Sequence, residues 1–372
     1  MGKSIQLGKI FGIPFRLDYS WFLIFIFITV MLSYFYFPSR YPLWSPAFYW
    51  IVGITTSLLF FASVLTHELA HSLVAIRSGI PVKSITLFFF GGVAHIGKEA
   101  PRPTTELKMA AAGPLCSIAL AGLFYGLFLW SRGFSEYLAA LTLWLAYING
   151  ILAVFNMIPG FPLDGGRVLR AIIWLLTGNY MRASQIATMA GYGVSYLFIL
   201  GGIIILILMG YLDGLWFIFL GFFLNSATRT TYRQTTLRES LKGVTAQDVM
   251  TTEFPRVPRH LTIRELAQGP LLTTSSQCFL VTDGEGVAGL LTLQQVKAVP
   301  RDHWDITTSG QAMTPVENLK MVKPTDEALT ILEGMDEGNL DVVTVVREGR
   351  IVGMILRDNM LRFAQRLQEL KV

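Results

Sequence analysis

The chain has 372 residues, 52% of them hydrophobic and only 15% charged. Its length allows about two or three domains, and its composition excludes an ordinary soluble globular protein and points to the membrane. The net charge of +5 contains no long basic run, so no nucleic acid is expected as a partner, and the mild excess of Lys and Arg suits the anionic headgroups of a lipid bilayer.

The first apolar run covers about 18–37 and follows a basic start with Lys3, Lys9 and Arg16. It is long and aromatic and is followed by no small-x-small cleavage site, so it is expected to be a retained transmembrane helix and not a signal peptide. Further runs cover about 47–77, 105–131, 136–158, 187–210 and 213–229. The expected fold is thus a polytopic α-helical membrane protein of about six transmembrane helices. Positive charge gathers in alternate loops, at Arg77, Lys83, Lys98, Arg102 and Lys108, at Arg167, Arg170 and Arg182, and at Arg229, Arg233, Arg238 and Lys242. The positive-inside rule then places both termini and the C-terminal region in the cytosol, with a bacterial cytoplasmic membrane as the expected location.

The second run carries His67-Glu68-Leu69-Ala70-His71. Histidines four apart stack on one face of a helix. Two imidazoles so placed can bind one zinc ion, with Glu68 beside it as general base. The chain has five histidines in all, so a chance match is improbable, and ionisable groups buried in a membrane are costly and usually functional. His67 lies about ten residues before Arg77, roughly 15 Å from the cytosolic end of the helix.

The segment 80–97 is too short to span and too apolar for an ordinary loop. Two β-type runs, 84–90 and 93–96, flank Gly91-Gly92, which reads as a short re-entrant β-hairpin. Open strand edges are unstable against lipid. The hairpin is therefore expected to dip into the protein, either as a plug or as an edge that binds an unwound peptide through Gly91 and Gly92. His95 within it is expected to be structural.

A third protein ligand is needed, with one coordination position left for water. The candidate is Asp164, in Asn156-Met157-Ile158-Pro159-Gly160-Phe161-Pro162-Leu163-Asp164-Gly165-Gly166. The prolines should break the helix, and a broken helix can turn a carboxylate toward the two histidines. The competing role for Asp164 is a helix N-cap. Asn156 could hold a substrate carbonyl or oxyanion, or cap neighbouring backbone.

Together these motifs resemble the site-2 protease family of intramembrane zinc metalloproteases. The likeness rests on His67-Glu68-x-x-His71 in a membrane helix, then Asn156-x-x-Pro159 and Leu163-Asp164-Gly165-Gly166, with Ala112-Gly113-Pro114 similar to a small-residue segment of that family. It covers about residues 1–230. The resemblance implies one zinc ion per chain on His67, His71 and Asp164, Glu68 as catalytic acid/base, and cleavage of peptide bonds in or near a transmembrane segment. It further implies a membrane-anchored protein substrate, such as an anti-sigma factor or a similar tethered regulator.

From about 244 the composition becomes that of a soluble domain, with an internal repeat. Asp248-Val249-Met250-Thr251 recurs as Gln311-Ala312-Met313-Thr314, each followed by a helical stretch, 262–268 or 325–333, and a strand–Gly turn–strand. These two units, 244–299 and 307–363, resemble a tandem pair of cystathionine-β-synthase (CBS) domains. The fold class is therefore the membrane domain plus a cytosolic α/β CBS pair. Such pairs bind adenine nucleotides or act as homodimerisation modules. The Asp that holds ribose in that family is absent here: Gln295 follows Thr292, and Asn359 follows Leu356. The alternatives to a protease are a catalytically silent membrane scaffold and a CBS-regulated transporter, and neither accounts for His67 and His71. Cys116 and Cys278 lie far apart in different segments, so neither a disulfide framework nor a thiolate metal site is expected.

Overall fold

The structure is a computed structural model. It describes residues 4–97, 99–274, 278–284, 286–338 and 340–370. The chain divides into two compact units, Met1–Arg233 and Gln234–Val372.

The first unit opens with two strands where only a basic lead-in was expected, β1 (Ser4–Ile10) and β2 (Ile13–Asp18). They form an antiparallel hairpin whose turn takes Phe11 and Gly12 through positive φ. Asp18 then caps the first helix, α1 (Tyr19–Arg40), by accepting from the Ser20 N–H at 2.9 Å. The middle of α1 winds as a π-helix over Met31–Tyr36. The second helix, α2 (Pro46–Arg77), begins with Pro at its first position, where a missing N–H costs nothing. It ends in a left-handed Gly79. There the Ile80 N–H reaches the Ala75 carbonyl and the Gly79 N–H the Ile76 carbonyl, which closes the last turn and redirects the chain.

That exit feeds β3 (Val82–Phe88) and β4 (Gly91–Ile96), an antiparallel hairpin. The expected hairpin is thus present, with one correction. Its turn is Phe89-Phe90, and Gly91 and Gly92 are the first residues of β4. β3 also pairs in parallel with β2, Leu17 opposite Leu87, so the four strands form one sheet in the order β1-β2-β3-β4. Leu17 and Leu87 on its inner face pack with Phe61 and Val64 of α2. The sheet is therefore anchored one turn ahead of His67.

Four further helices complete this part of the chain: α3 (Pro103–Ser131), α4 (Glu136–Asn156), α5 (Asp164–Thr177) and α6 (Tyr180–Leu208). A last helix, α7 (Asp213–Leu241), ends within the second unit. Among the described residues, α1, α2, α3, α4 and α6 are long and apolar enough to cross a membrane. The sixth expected run, 213–229, is not among them. The sixth run does become helical, but its apolar stretch, 215–224, is about 15 Å long, half of a ~30 Å hydrocarbon core. The fifth also starts earlier than expected, at Tyr180, because Asn179 caps it by accepting from the Arg182 N–H.

The second unit is a two-fold α/β repeat. The first half holds α8 (Ile263–Gln268), the strands β5 (Arg256–Pro258), β6 (Cys278–Asp283) and β7 (Gly286–Thr292), and α9 (Leu293–Ala298). Next come β8 (Thr314–Pro315) and β9 (Met321–Val322). With them in the second half are α10 (Ala328–Gly338), β10 (Val342–Arg347), β11 (Arg350–Leu356) and α11 (Arg357–Leu370). Each half starts at a capping box, Thr245 with Asp248 and Thr308 with Gln311. The halves exchange partners: Thr251 bridges to Met354 of β11, and Thr314 pairs with Leu290 of β7. Cys278, Leu280, Leu290 and Met354 form the shared cluster between them. Cys278 is buried there, which pushes its thiol up to about 12 and keeps it neutral.

Candidate metal centre

His67 and His71 lie on the buried face of α2, each only 3% exposed. Their Nε2 atoms are 3.2 Å apart. Asp164, the first residue of α5, brings its Oδ2 to 3.2 Å from His67 Nε2 and 3.1 Å from His71 Nε2. Thus one oxygen and two nitrogens form a near-equilateral triangle, and the three residues could hold a metal ion. Tetrahedral bonds of about 2.0–2.1 Å, as zinc makes to nitrogen and oxygen, set ligand atoms roughly 3.3 Å apart. The donor set fits.

Both imidazoles are oriented from α3. His71 Nδ1–H donates to the Met109 carbonyl at 2.6 Å. A carbonyl only accepts, so the Nδ1 proton is fixed and the Nε2 lone pair is turned into the triangle. His67 Nδ1 meets the Ser117 hydroxyl at 2.9 Å. Gly113 lies between these two partners on α3. A Cβ at Gly113 would collide with His71 Nε2 and lie 2.6 Å from His67 Nε2. Only a residue without a side chain lets α3 approach the two imidazoles this closely.

The third ligand candidate depends on a tightly packed loop, 157–163. A Cβ at Gly165 would strike the Met157 and Ile158 carbonyls, and one at Gly166 would strike the Gly160 carbonyl carbon and the Phe161 nitrogen. The Gly165-Gly166 pair thus lets the first turn of α5 lie directly on the loop backbone. Phe161 is held from two sides: its N–H donates to Ala187 O at 3.3 Å, and the Thr228 hydroxyl donates to its carbonyl at 2.6 Å. Leu163 is the N-cap residue of α5, so Asp164 is not spent on capping and stays free for the triangle.

Glu68, next to His67, lies against β4. A Cβ at Gly92 would come within 2.5 Å of Glu68 Cγ, and the Ala94 backbone bonds to its carboxylate. β4 is an edge strand of the sheet. That edge therefore runs past the carboxylate next to the metal triangle, with the Ala94 backbone already bonded to Glu68. His95, farther along β4, pairs in register with Ser84 and is not part of the triangle. Burial and the nearby charges of Arg16 and Lys83 keep its imidazole below the usual range, hence neutral. Asn156 ends α4 with its Nδ2 donating to the Leu152 carbonyl at 3.1 Å, so the amide is turned back onto its own helix. Cys116 is half-buried, with Sγ 3.8 Å from the Thr66 carbonyl.

Sequence reasoning missed Met109, Ser117 and the steric role of Gly113. Gly113 carried a signal, in that Ala112-Gly113-Pro114 drew attention as a small-residue segment, but Met109 acts through its backbone carbonyl and has no sequence signature.

Known proteins place this site in a family. The profile of Peptidase family M50 matches residues 55–137 and 133–202, which include all three members of the triangle. The protein sll0528 of Synechocystis sp. is 35% identical over 370 residues, covering 98% of this chain and 96% of its own length. Zinc metalloprotease MJ0392 of Methanocaldococcus jannaschii is 30% identical and covers 100% of this chain and 98% of its own. The solved site-2 protease of the same archaeon is 28% identical over 62% of this chain and 95% of its own, with a TM-score of 0.42. The chain belongs to Peptidase family M50 and is a multi-pass membrane zinc metalloprotease.

Proposed function

We propose that residues 1–230 form an intramembrane endopeptidase that cuts peptide bonds in or near the transmembrane segment of membrane-anchored proteins. The observation that carries this reading is the triangle of His67 Nε2, His71 Nε2 and Asp164 Oδ2 beside Glu68 and the edge strand β4. His67, His71 and Asp164 are the zinc ligands. When bound, zinc polarises the scissile carbonyl and acidifies water. Glu68 takes the proton from the attacking water and returns it to the leaving amine. The β4 edge, from Gly91 and Gly92 to Ile96, holds the substrate as an added strand, which keeps its scissile carbonyl extended beside Glu68. Gly92 presents bare backbone next to Glu68, which supports that placement. The Asn156 carboxamide must leave the Leu152 carbonyl to assist the oxyanion.

A helical substrate cannot be cut as it stands, because its carbonyls are already paired. Substrates with Gly, Pro or Asn near the cut are therefore expected, membrane-tethered regulators such as anti-sigma factors among them. The basic residues Arg229, Arg233 and Arg238 follow the apolar start of α7 and support a cytosolic C-terminal unit in a bacterial cytoplasmic membrane, with the N-terminus on the same side. That unit, 244–299 and 307–363, acts as a CBS pair. Gln295 Nε2 donates to the Thr314 hydroxyl, and Asn359 Nδ2 donates to the Thr251 hydroxyl. These are the two positions where a ribose-binding carboxylate would stand, which favours regulation through homodimer association over adenine-nucleotide binding.

The experiment compares wild type with Glu68→Gln and Asp164→Ala for bound zinc and for cleavage of a single-span substrate. Wild type and Glu68→Gln should each hold one zinc ion, with cleavage in Glu68→Gln reduced by roughly 10²–10⁴-fold. Asp164→Ala should lose zinc. Full metal in Asp164→Ala would remove it from the ligand set, and full activity in Glu68→Gln would sink the mechanism.

A further inference from the structure

A second group of buried charges lies in the first unit, none of them a member of the metal triangle. Glu106 of α3 is 1% exposed and Arg170 of α5 is 8% exposed. Arg170 Nε donates to Glu106 Oε1 at 2.7 Å, and its Nη2 reaches the same oxygen. Its Nη1 donates to Tyr180 Oη at 2.8 Å, and the Tyr180 hydroxyl donates to Glu99 Oε2 at 2.7 Å. The guanidinium carbon also sits 5.0 Å from the Phe161 ring centre and 4.9 Å from that of Tyr180. Glu106 Oε2 is buried with no hydrogen-bond partner among the described residues.

A buried ion pair with an unsatisfied oxygen is a poor way to gain stability. Apolar residues of the same volume usually do as well or better. What such a pair does supply is one defined geometry between two helices. Here the two helices are those that shape the triangle. Glu106 stands three residues before Met109, whose carbonyl orients His71, and on the same helix as Ser117, which orients His67. Arg170 stands on the helix that begins with Asp164, and it lies over Phe161 in the loop just ahead of it.

We propose that the Glu106–Arg170 pair, with Tyr180, is a positioning device for the metal centre. It locks the helix that orients both histidines to the helix that carries Asp164. The device rests on the reading of His67, His71 and Asp164 as metal ligands. It touches neither substrate nor metal. Its effect is on how well three ligand atoms from two separate helices meet.

The test uses the full chain in detergent, loaded with Co²⁺ in place of zinc. The d–d absorption bands of cobalt report ligand geometry, and transfer to a chelator reports how tightly the ion is held. Glu106→Gln and Arg170→Lys should elute as wild type does but release cobalt roughly tenfold or more faster, with shifted d–d bands. Tyr180→Phe, which keeps the ring and loses the hydroxyl that accepts from Arg170 and donates to Glu99, should fall between them and wild type. On a model substrate, the first two should lower kcat and leave KM unchanged. Should Arg170→Lys fail to fold, Glu106→Gln and Tyr180→Phe still decide the matter. Wild-type spectra and release rates in both would overturn the positioning role alone. A wild-type protein that takes up no cobalt would overturn the metal-centre reading and this proposal with it.

Discussion

Both units place glycines where a Cβ would collide with a neighbour, but for different ends. In the first unit, Gly113 makes room for the Nε2 atoms of His67 and His71, Gly92 for Glu68, and Gly165 and Gly166 for the loop ahead of Asp164. In the second, Gly289 makes room for the Thr314 carbonyl and Met313, and Gly353 for Met250. The first set brings chemical groups together. The second brings two halves of a repeat together. Buried hydroxyls bond to backbone in both units, as Thr56 and Ser57 do in the first and Ser309 and Thr344 in the second, but the first unit also buries His67 and His71 of the triangle and the Glu106–Arg170 pair that joins α3 to α5. Close packing is shared; its purpose differs, and so should the consequence of filling each gap.

The largest effect is expected at Gly113. The methyl of Gly113→Ala would occupy the space between the two Nε2 atoms and meet fixed imidazoles. Bound zinc and cleavage should both disappear, while the protein still elutes as folded. Zinc retained in this variant would show that α3 can retreat, and the comparison would lose its sharpest case. Gly92→Ala should act more gently, since Glu68 is a flexible side chain that can shift. Zinc content should stay at one per chain while kcat falls roughly tenfold, a loss of about 1.4 kcal/mol in transition-state stabilisation. An unchanged rate would separate β4 from the chemistry.

Gly289→Ala tests the other set. Its Cβ would strike a backbone carbonyl, which cannot swing aside, so the second unit should lose about 1–3 kcal/mol. Zinc binding in the first unit should be untouched. Gly353→Ala should cost less, because its first obstacle is Met250 Sδ at 2.6 Å, the mobile end of an adaptable side chain. Equal losses at the two positions, measured by thermal unfolding of the full chain, would mean that the seam is less tolerant than the methionines suggest.

Much of this could be read along the chain. A four-residue spacing on a helix makes neighbours of His67 and His71 whatever else the protein does, and two prolines ahead of Asp164 foretell a break. The 63-residue recurrence of Met250-Thr251 as Met313-Thr314 likewise marks a repeat, and both copies do the same job at the seam. The N-terminal strands were not legible. β2 is held by parallel pairing with β3, some seventy residues away, and local composition says nothing about a partner so distant. The extent of the helix that starts in the sixth apolar run was not legible for a related reason: it goes on through Asn225 and Arg229 to Leu241.

The sequence by itself determined which groups could do chemistry, because ligand type, helical spacing and burial in an apolar run follow from local order. It determined membrane insertion as well, through length and hydropathy alone. The tertiary structure decided which of those groups meet. That Asp164 reaches His67 and His71 across more than ninety residues depends on Gly-Gly packing at the start of α5. That both imidazoles face inward depends on a backbone carbonyl and a hydroxyl of α3. Such contacts are set by how helices dock. Docking depends on shape complementarity between distant segments, to which the local pattern of either segment is blind.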